Sequence, residues 1–167
     1  MEFNEYAGTI ERKLQRSFDI ARDHSLSGAR YDLFAEFRMR NEKFVVSKKA
    51  VIYAFENNEY CLMRYSPELS MDDTSRFADD IVRAVSELVK PDGEHMSSVL
   101  TGVLVFGDGR GETIAKSAEV VRRFRYHRSF ALGFRGWVDI RLLLVSLKEG
   151  VIAANKRGEQ VIKVYGI

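Results

Sequence analysis

An α+β domain is what this sequence predicts, and three observations carry the prediction. Apolar residues recur at helical spacing near the N-terminus and again at 77–88. From residue 29 the period falls to two, and residues 97–106 form a run that is apolar on both faces. Together they place about three helices on a mainly antiparallel mixed sheet of six to eight strands, two meanders around a buried central strand. Residues 1–167 read as a single domain, because the chain holds only two prolines and no polar, low-complexity linker.

Residues 1–23 predict an amphipathic helix. Phe3, Tyr6, Ala7, Ile10, Leu14, Phe18 and Ala21 make one apolar stripe. Glu2 and Glu5 suit the positive end of the helix dipole and Arg22 the negative end. Gly28 then stops the helix, because it can take a positive φ. Residues 29–40 alternate as a strand, 44–55 supply a second, and the Glu56-Asn57-Asn58-Glu59 turn leads to a third at 60–65. A second helix starts near Asp72, with Ser70 and Asp73 at capping-box spacing and Phe77, Ile81, Ala84, Val85 and Leu88 on its apolar face.

The doubly apolar run at 97–106 predicts a strand near the sheet centre. A third helix follows, with Ile114, Ala118, Val121 and Phe124 on one side. Strands at 138–147, 151–154 and 160–165 complete a second meander, with turns at Lys148-Glu149-Gly150 and at Asn155-Lys156-Arg157-Gly158.

Charge is balanced, at 26 basic and 24 acidic side chains for a net +2. A protein that coats nucleic acid over its whole surface carries a larger excess, so any anion binding here is local. The exception to the balance lies at residues 122–135. Arg122, Arg123, Arg125, Arg128 and Arg135 are interleaved there with Phe124, Tyr126, Phe130 and Phe134, without a carboxylate. Arginine forks pair with phosphates and their planes stack on bases, so this strip, with Tyr126 and Trp137, is a candidate ligand-binding surface. The alternative is that the arginines pair within the fold, with Asp72, Asp73, Asp79 and Asp80, or simply meet water.

Gly107, Gly109, Arg110 and Gly111 form a glycine loop between a buried strand and a helix N-terminus, a second place for a phosphate. Its spacing matches neither GxxxxGK[ST] nor GxGxxG, and Asp108 and Glu112 oppose an anion. Cys61 is the single cysteine, in an alternating run that buries it. The histidines His24, His95 and His127 form no i, i+4 pair, so no metal or cofactor is expected. No serine sits in a GxSxG elbow, which leaves no catalytic triad to nominate. Asp139 is expected to pair with Arg141 or Arg135.

The order helix, three-strand meander, helix, strand over about residues 2–106 resembles the core of the restriction-endonuclease-like nucleases. That resemblance implies an Asp on the second core strand and a Glu-x-Lys on the third, holding a divalent metal. The strands read at 44–55 and 60–65 lack both. Asp32 and Glu36 share one strand face and stand as an alternative carboxylate site.

The sequence therefore predicts a cytoplasmic, non-catalytic binding domain that recognises nucleic acid or another anionic ligand through the Arg/aromatic strip. No signal peptide and no membrane-spanning run is read. A metal-dependent phosphodiesterase is the alternative. So is a protein-interaction or homo-oligomerisation domain, in which the strip meets an acidic protein surface or sheet edges pair in a homodimer.

Overall fold

The computed structural model describes residues 1–38, 58–90, 97–133 and 136–167. The expected strand at 44–55, the first half of the 56–59 turn, His95 and Arg135 lie outside them.

The N-terminal helix α1 (Phe3–Leu14) is shorter than the stripe suggests. The chain leaves the helix and starts strand β1 (Asp19–Leu26), which a Ser27-Gly28 turn joins to β2 (Ala29–Arg38). Both turn residues have positive φ, 50° and 77°, the pattern of a two-residue hairpin. Gly28 thus supplies the expected conformation to a hairpin instead of a helix end. Phe18 still reaches the apolar layer under α1, which is why its spacing imitates a longer helix.

Strand β3 (Asn58–Glu68) pairs antiparallel with β2, Arg38 opposite Asn58. Helix α2 (Asp73–Leu88) follows; the Asp73 carboxylate accepts the Ser70 N–H at 2.8 Å in the turn before the helix, whose N-cap is Asp72 and not the expected Ser70. Next come β4 (Ser98–Asp108), α3 (Gly111–Arg123), the short edge strand β5 (His127–Ser129), β6 (Trp137–Ser146) and β7 (Gly150–Ala154).

Residues 160–165 are not a strand. A 3-10 turn, Gly158–Val161, runs into the one-turn helix α4 (Ile162–Tyr165). The buried residues there, Val161, Val164 and Tyr165, are spaced three and four apart, a helical period that short alternation conceals. Two hydrogen bonds tie α4 to α1: the Tyr6 hydroxyl donates to Tyr165 O at 2.7 Å and Lys13 Nζ to Val164 O at 2.7 Å.

The described elements run α1–β1–β2–β3–α2–β4, but the three strands are not the expected ones: β1 lies where helix was expected, and the strand expected at 44–55 falls outside the described residues. The mixed sheet has seven strands in the order β1-β2-β3-β4-β6-β5, with β7 also on β6. Its centre is parallel, β3 to β4 to β6, and its other pairings are antiparallel. Buried on both faces as expected, β4 lies between β3 and β6. One face packs Leu62, Leu100, Leu104, Leu142 and Leu144 against α2 and α3. The other packs Cys61, Met63, Val103, Leu143 and Val145 against α1 and α4. Burial pushes the Cys61 thiol up to about 12, so it stays protonated as a small core residue.

One edge of β6 is shared by two short strands. β5 pairs with its start, Trp137–Asp139, and β7 with its end, Leu143–Ser146. The Asn155 amide fills the gap between them. Its oxygen accepts the N–H groups of Leu142 (3.0 Å) and Gly158 (2.8 Å), and its nitrogen donates to Ile140 O (3.0 Å). Asn155 is 1% exposed, so these bonds satisfy backbone groups that water cannot reach.

Candidate functional site

Helix α3 ends at Arg123 because Phe124 turns to extended geometry (ψ 131°) and packs against the α2–α3 core layer. The expected strip is therefore helical to Arg123 and extended after it. The side chains that follow alternate across β5. Tyr126 and Phe130 are half-buried against the same core layer. The Arg128 guanidinium stands 5.2 Å above the Phe130 ring, in a cation–π contact.

The arginines before β5 are held by backbone. Arg125 Nη1 donates to Arg122 O at 2.6 Å and to Phe124 O at 2.8 Å, while Arg122 Nη2 donates to Ile152 O at 3.2 Å. Arg123 alone of the described group is ion-paired, to Glu119 at 2.6 Å. Among the described residues no strip arginine pairs with the α2 carboxylates. Asp80 binds Arg64 and Arg83, Asp72 binds Arg76, and the Asp73 oxygen is taken by Ser70 and Ser66. Carbonyls and a ring orient a guanidinium without neutralising it. Arg122, Arg125 and Arg128 accordingly present exposed positive charge on contiguous chain.

Trp137, placed with the strip by sequence proximity, lies on the opposite face of the sheet. It pairs with Ser129 across β5 and β6, while Arg128 pairs with Val138. That other face carries a polar cluster at the N-terminal ends of the parallel strands. Arg141 crosses over β4 to reach Glu59 on β3, Nη1 to Oε2 3.3 Å, and both side chains are nearly fully buried. Asp139 does not pair with Arg141 or, among the described residues, with a strip arginine. Its Oδ1 lies 2.9 Å from His127 Nδ1 and its Oδ2 3.4 Å from Arg157 Nη2. His127 Nε2 lies 3.2 Å from Ser129 Oγ.

The line Asp139, His127, Ser129 escaped the sequence reading because nothing in it is a contiguous motif. His127 and Ser129 share a face by strand alternation, and Asp139 joins them by standing opposite His127 in the ladder. The legible signal was His-x-Ser on a short exposed strand. Its partner aspartate required the register.

The glycine loop is a strand-to-helix connection under close packing. A Cβ on Gly107 would lie 2.8 Å from Tyr65 Oη and 2.9 Å from Pro67 O, and one on Gly109 would crowd Ile114 and Leu69. The Gly109 N–H is taken by the Asp108 carboxylate at 2.9 Å. That bond and Lys148 hold the Asp108 carboxyl below the usual carboxylate range, which keeps a negative charge in the loop. Arg110 is exposed and Gly111 open.

Asp32 and Glu36 are not brought together. Four residues apart on β2, they are separated by about 13 Å of strand rise. The Asp32 carboxylate accepts the Tyr65 N–H at 2.7 Å, and Glu36 pairs with Arg38 at 3.0 Å. Among the described residues no group of three or more His, Cys, Asp or Glu side chains is placed to hold a metal ion. No helix there is long and apolar enough to cross a membrane.

A family described as Domain of unknown function (DUF8052) matches residues 2–167. No curated protein and no solved structure matches the chain.

Proposed function

Because the chain belongs to the DUF8052 family, whose description assigns no activity, we propose a role from its surface: a binding domain that holds a polyanion, nucleic acid first, through Arg122, Arg125 and Arg128. One observation carries this reading. These three arginines are fixed by backbone carbonyls or an aromatic ring and keep their charge, whereas Arg30, Arg38, Arg64, Arg76, Arg83, Arg141 and Arg157 are each matched to a carboxylate. A guanidinium already oriented by one bond loses less freedom when its remaining donors meet a phosphate.

The arginines exposed from the end of α3 into β5 suit a nucleic-acid backbone, and phosphates would dominate their contacts. Neutralising three phosphates gives log K a slope of about −2.7 against log salt for duplex DNA and about −2.1 for single strands. The test is binding of fluorescence-labelled single- and double-stranded oligonucleotides by wild type and by Arg122→Ala/Arg125→Ala/Arg128→Ala. Salt-sensitive binding that disappears in a triple variant of unchanged melting temperature supports the reading. No binding by wild type at low salt, or equal binding by the folded variant, overturns it.

A further inference from the structure

On the reverse face of β5, we propose, Asp139, His127 and Ser129 form a nucleophilic relay that transfers acyl groups from carboxylic esters onto Ser129 and then to water. The distances connect one group to the next: Asp139 Oδ1 to His127 Nδ1 2.9 Å, and His127 Nε2 to Ser129 Oγ 3.2 Å. Asp139 is buried, 4% exposed, and its second oxygen is held by Arg157, so its position is fixed from both sides. A carboxylate on Nδ1 directs the imidazole proton to that nitrogen and leaves Nε2 free to accept from a hydroxyl. Ser129 and His127 are exposed, so a substrate reaches both from solvent.

Two further features complete what acyl chemistry needs. Phe130 N donates to Gly136 O and Ile140 N to Tyr126 O, which points the even-numbered backbone groups of β5 at β6. By alternation the Ser129 N–H points out from the sheet edge, beside its own hydroxyl, where a developing oxyanion would sit. Trp137, directly opposite Ser129, is 37% exposed and gives an apolar wall for the acyl group. The substrate class is therefore an ester with an apolar acyl group.

The step balances without a further reactant but water. Ser129 Oγ attacks the carbonyl carbon and passes its proton to His127 Nε2. The C–O bond to the alcohol breaks, and the departing alkoxide takes that proton. Water then attacks the acyl-serine with His127 as base, releasing the acid and restoring Ser129.

The experiment combines p-nitrophenyl butyrate hydrolysis with labelling by a fluorophosphonate, the site read by peptide mass spectrometry. Ser129 forms the P–O bond as fluoride leaves. Expected are label on Ser129, its loss in Ser129→Ala, and a fall in hydrolysis of at least 100-fold in both Ser129→Ala and His127→Gln. Both substitutions are at exposed positions, and a thermal melt verifies that the variants fold. Asp139→Asn is to lower kcat more than it changes KM. Absence of label on Ser129 in folded wild type, or hydrolysis retained by folded Ser129→Ala, overturns the proposal. Oligonucleotide binding is not read in this assay, so either result leaves the arginine surface to its own test.

Discussion

Two sets of arginines near the β5–β6 edge are held in opposite ways. Arg141 and Arg157 face carboxylates, Glu59 and Asp139, in a cluster whose acidic members are almost wholly buried. Arg122 and Arg125 face carbonyls, and Arg128 faces a ring. A carboxylate cancels charge and commits the residue to the fold. A carbonyl fixes direction and leaves the charge for a ligand. Both sets look alike in composition, so the partner, more than the residue type, separates framework from surface.

The strongest way to break this comparison is Arg141→Met. It takes the Arg141 guanidinium away from the buried Glu59 carboxylate, at a cost of about 3–5 kcal/mol. For a domain of this size that lowers Tm by roughly 6–20 °C. Adding Glu59→Met is expected to recover most of the loss, and a thermal double-mutant cycle measures the coupling. A single variant with unchanged Tm would deny the pair its framework role.

Asn155→Ala comes next. It orphans the N–H groups of Leu142 and Gly158 and the carbonyl of Ile140, and should cost about 2–4 kcal/mol. Asn155→Asp keeps the acceptor but loses the donor to Ile140, so it should not restore stability. Urea denaturation reads both.

The triple variant of Arg122, Arg125 and Arg128 moves the other quantity. Its stability should stay within about 1 kcal/mol of wild type, because exposed substitutions away from buried networks cost little. Its oligonucleotide affinity should collapse. Arg123→Ala is expected to do least: its charge is already matched by Glu119, so binding at 100 mM salt should fall less than for Arg125→Ala, as polarisation titrations of the two would show.

Much of the fold was legible because its signals are local. α2, α3, β4 and β6 follow from periodicity and from a run apolar on both faces. Two elements were misread where local spacing is ambiguous. Phe18 and Ala21 extend the helical stripe of α1 into β1, and Ile162 and Val164 on either side of Lys163 imitate a strand within a segment whose buried residues keep helical spacing. The site was legible in part. The arginine strip shows in composition, but its partners do not, since Arg122 reaches Ile152 thirty residues away. Trp137 looked adjacent to the strip and lies across the sheet, because one residue of strand reverses a side chain. The Asp139–His127–Ser129 line needed the β5–β6 register, which no window of sequence contains.

The measurement that reaches the central claim most directly is the salt dependence of duplex binding by wild type and by Arg122→Ala/Arg125→Ala/Arg128→Ala. The account predicts a linear log–log plot for wild type with a slope of about −2.7, and loss of that salt-dependent binding in the triple variant at equal Tm. A wild-type slope near zero, or the same slope in both proteins, would contradict the claim that these carbonyl-held arginines carry the binding charge.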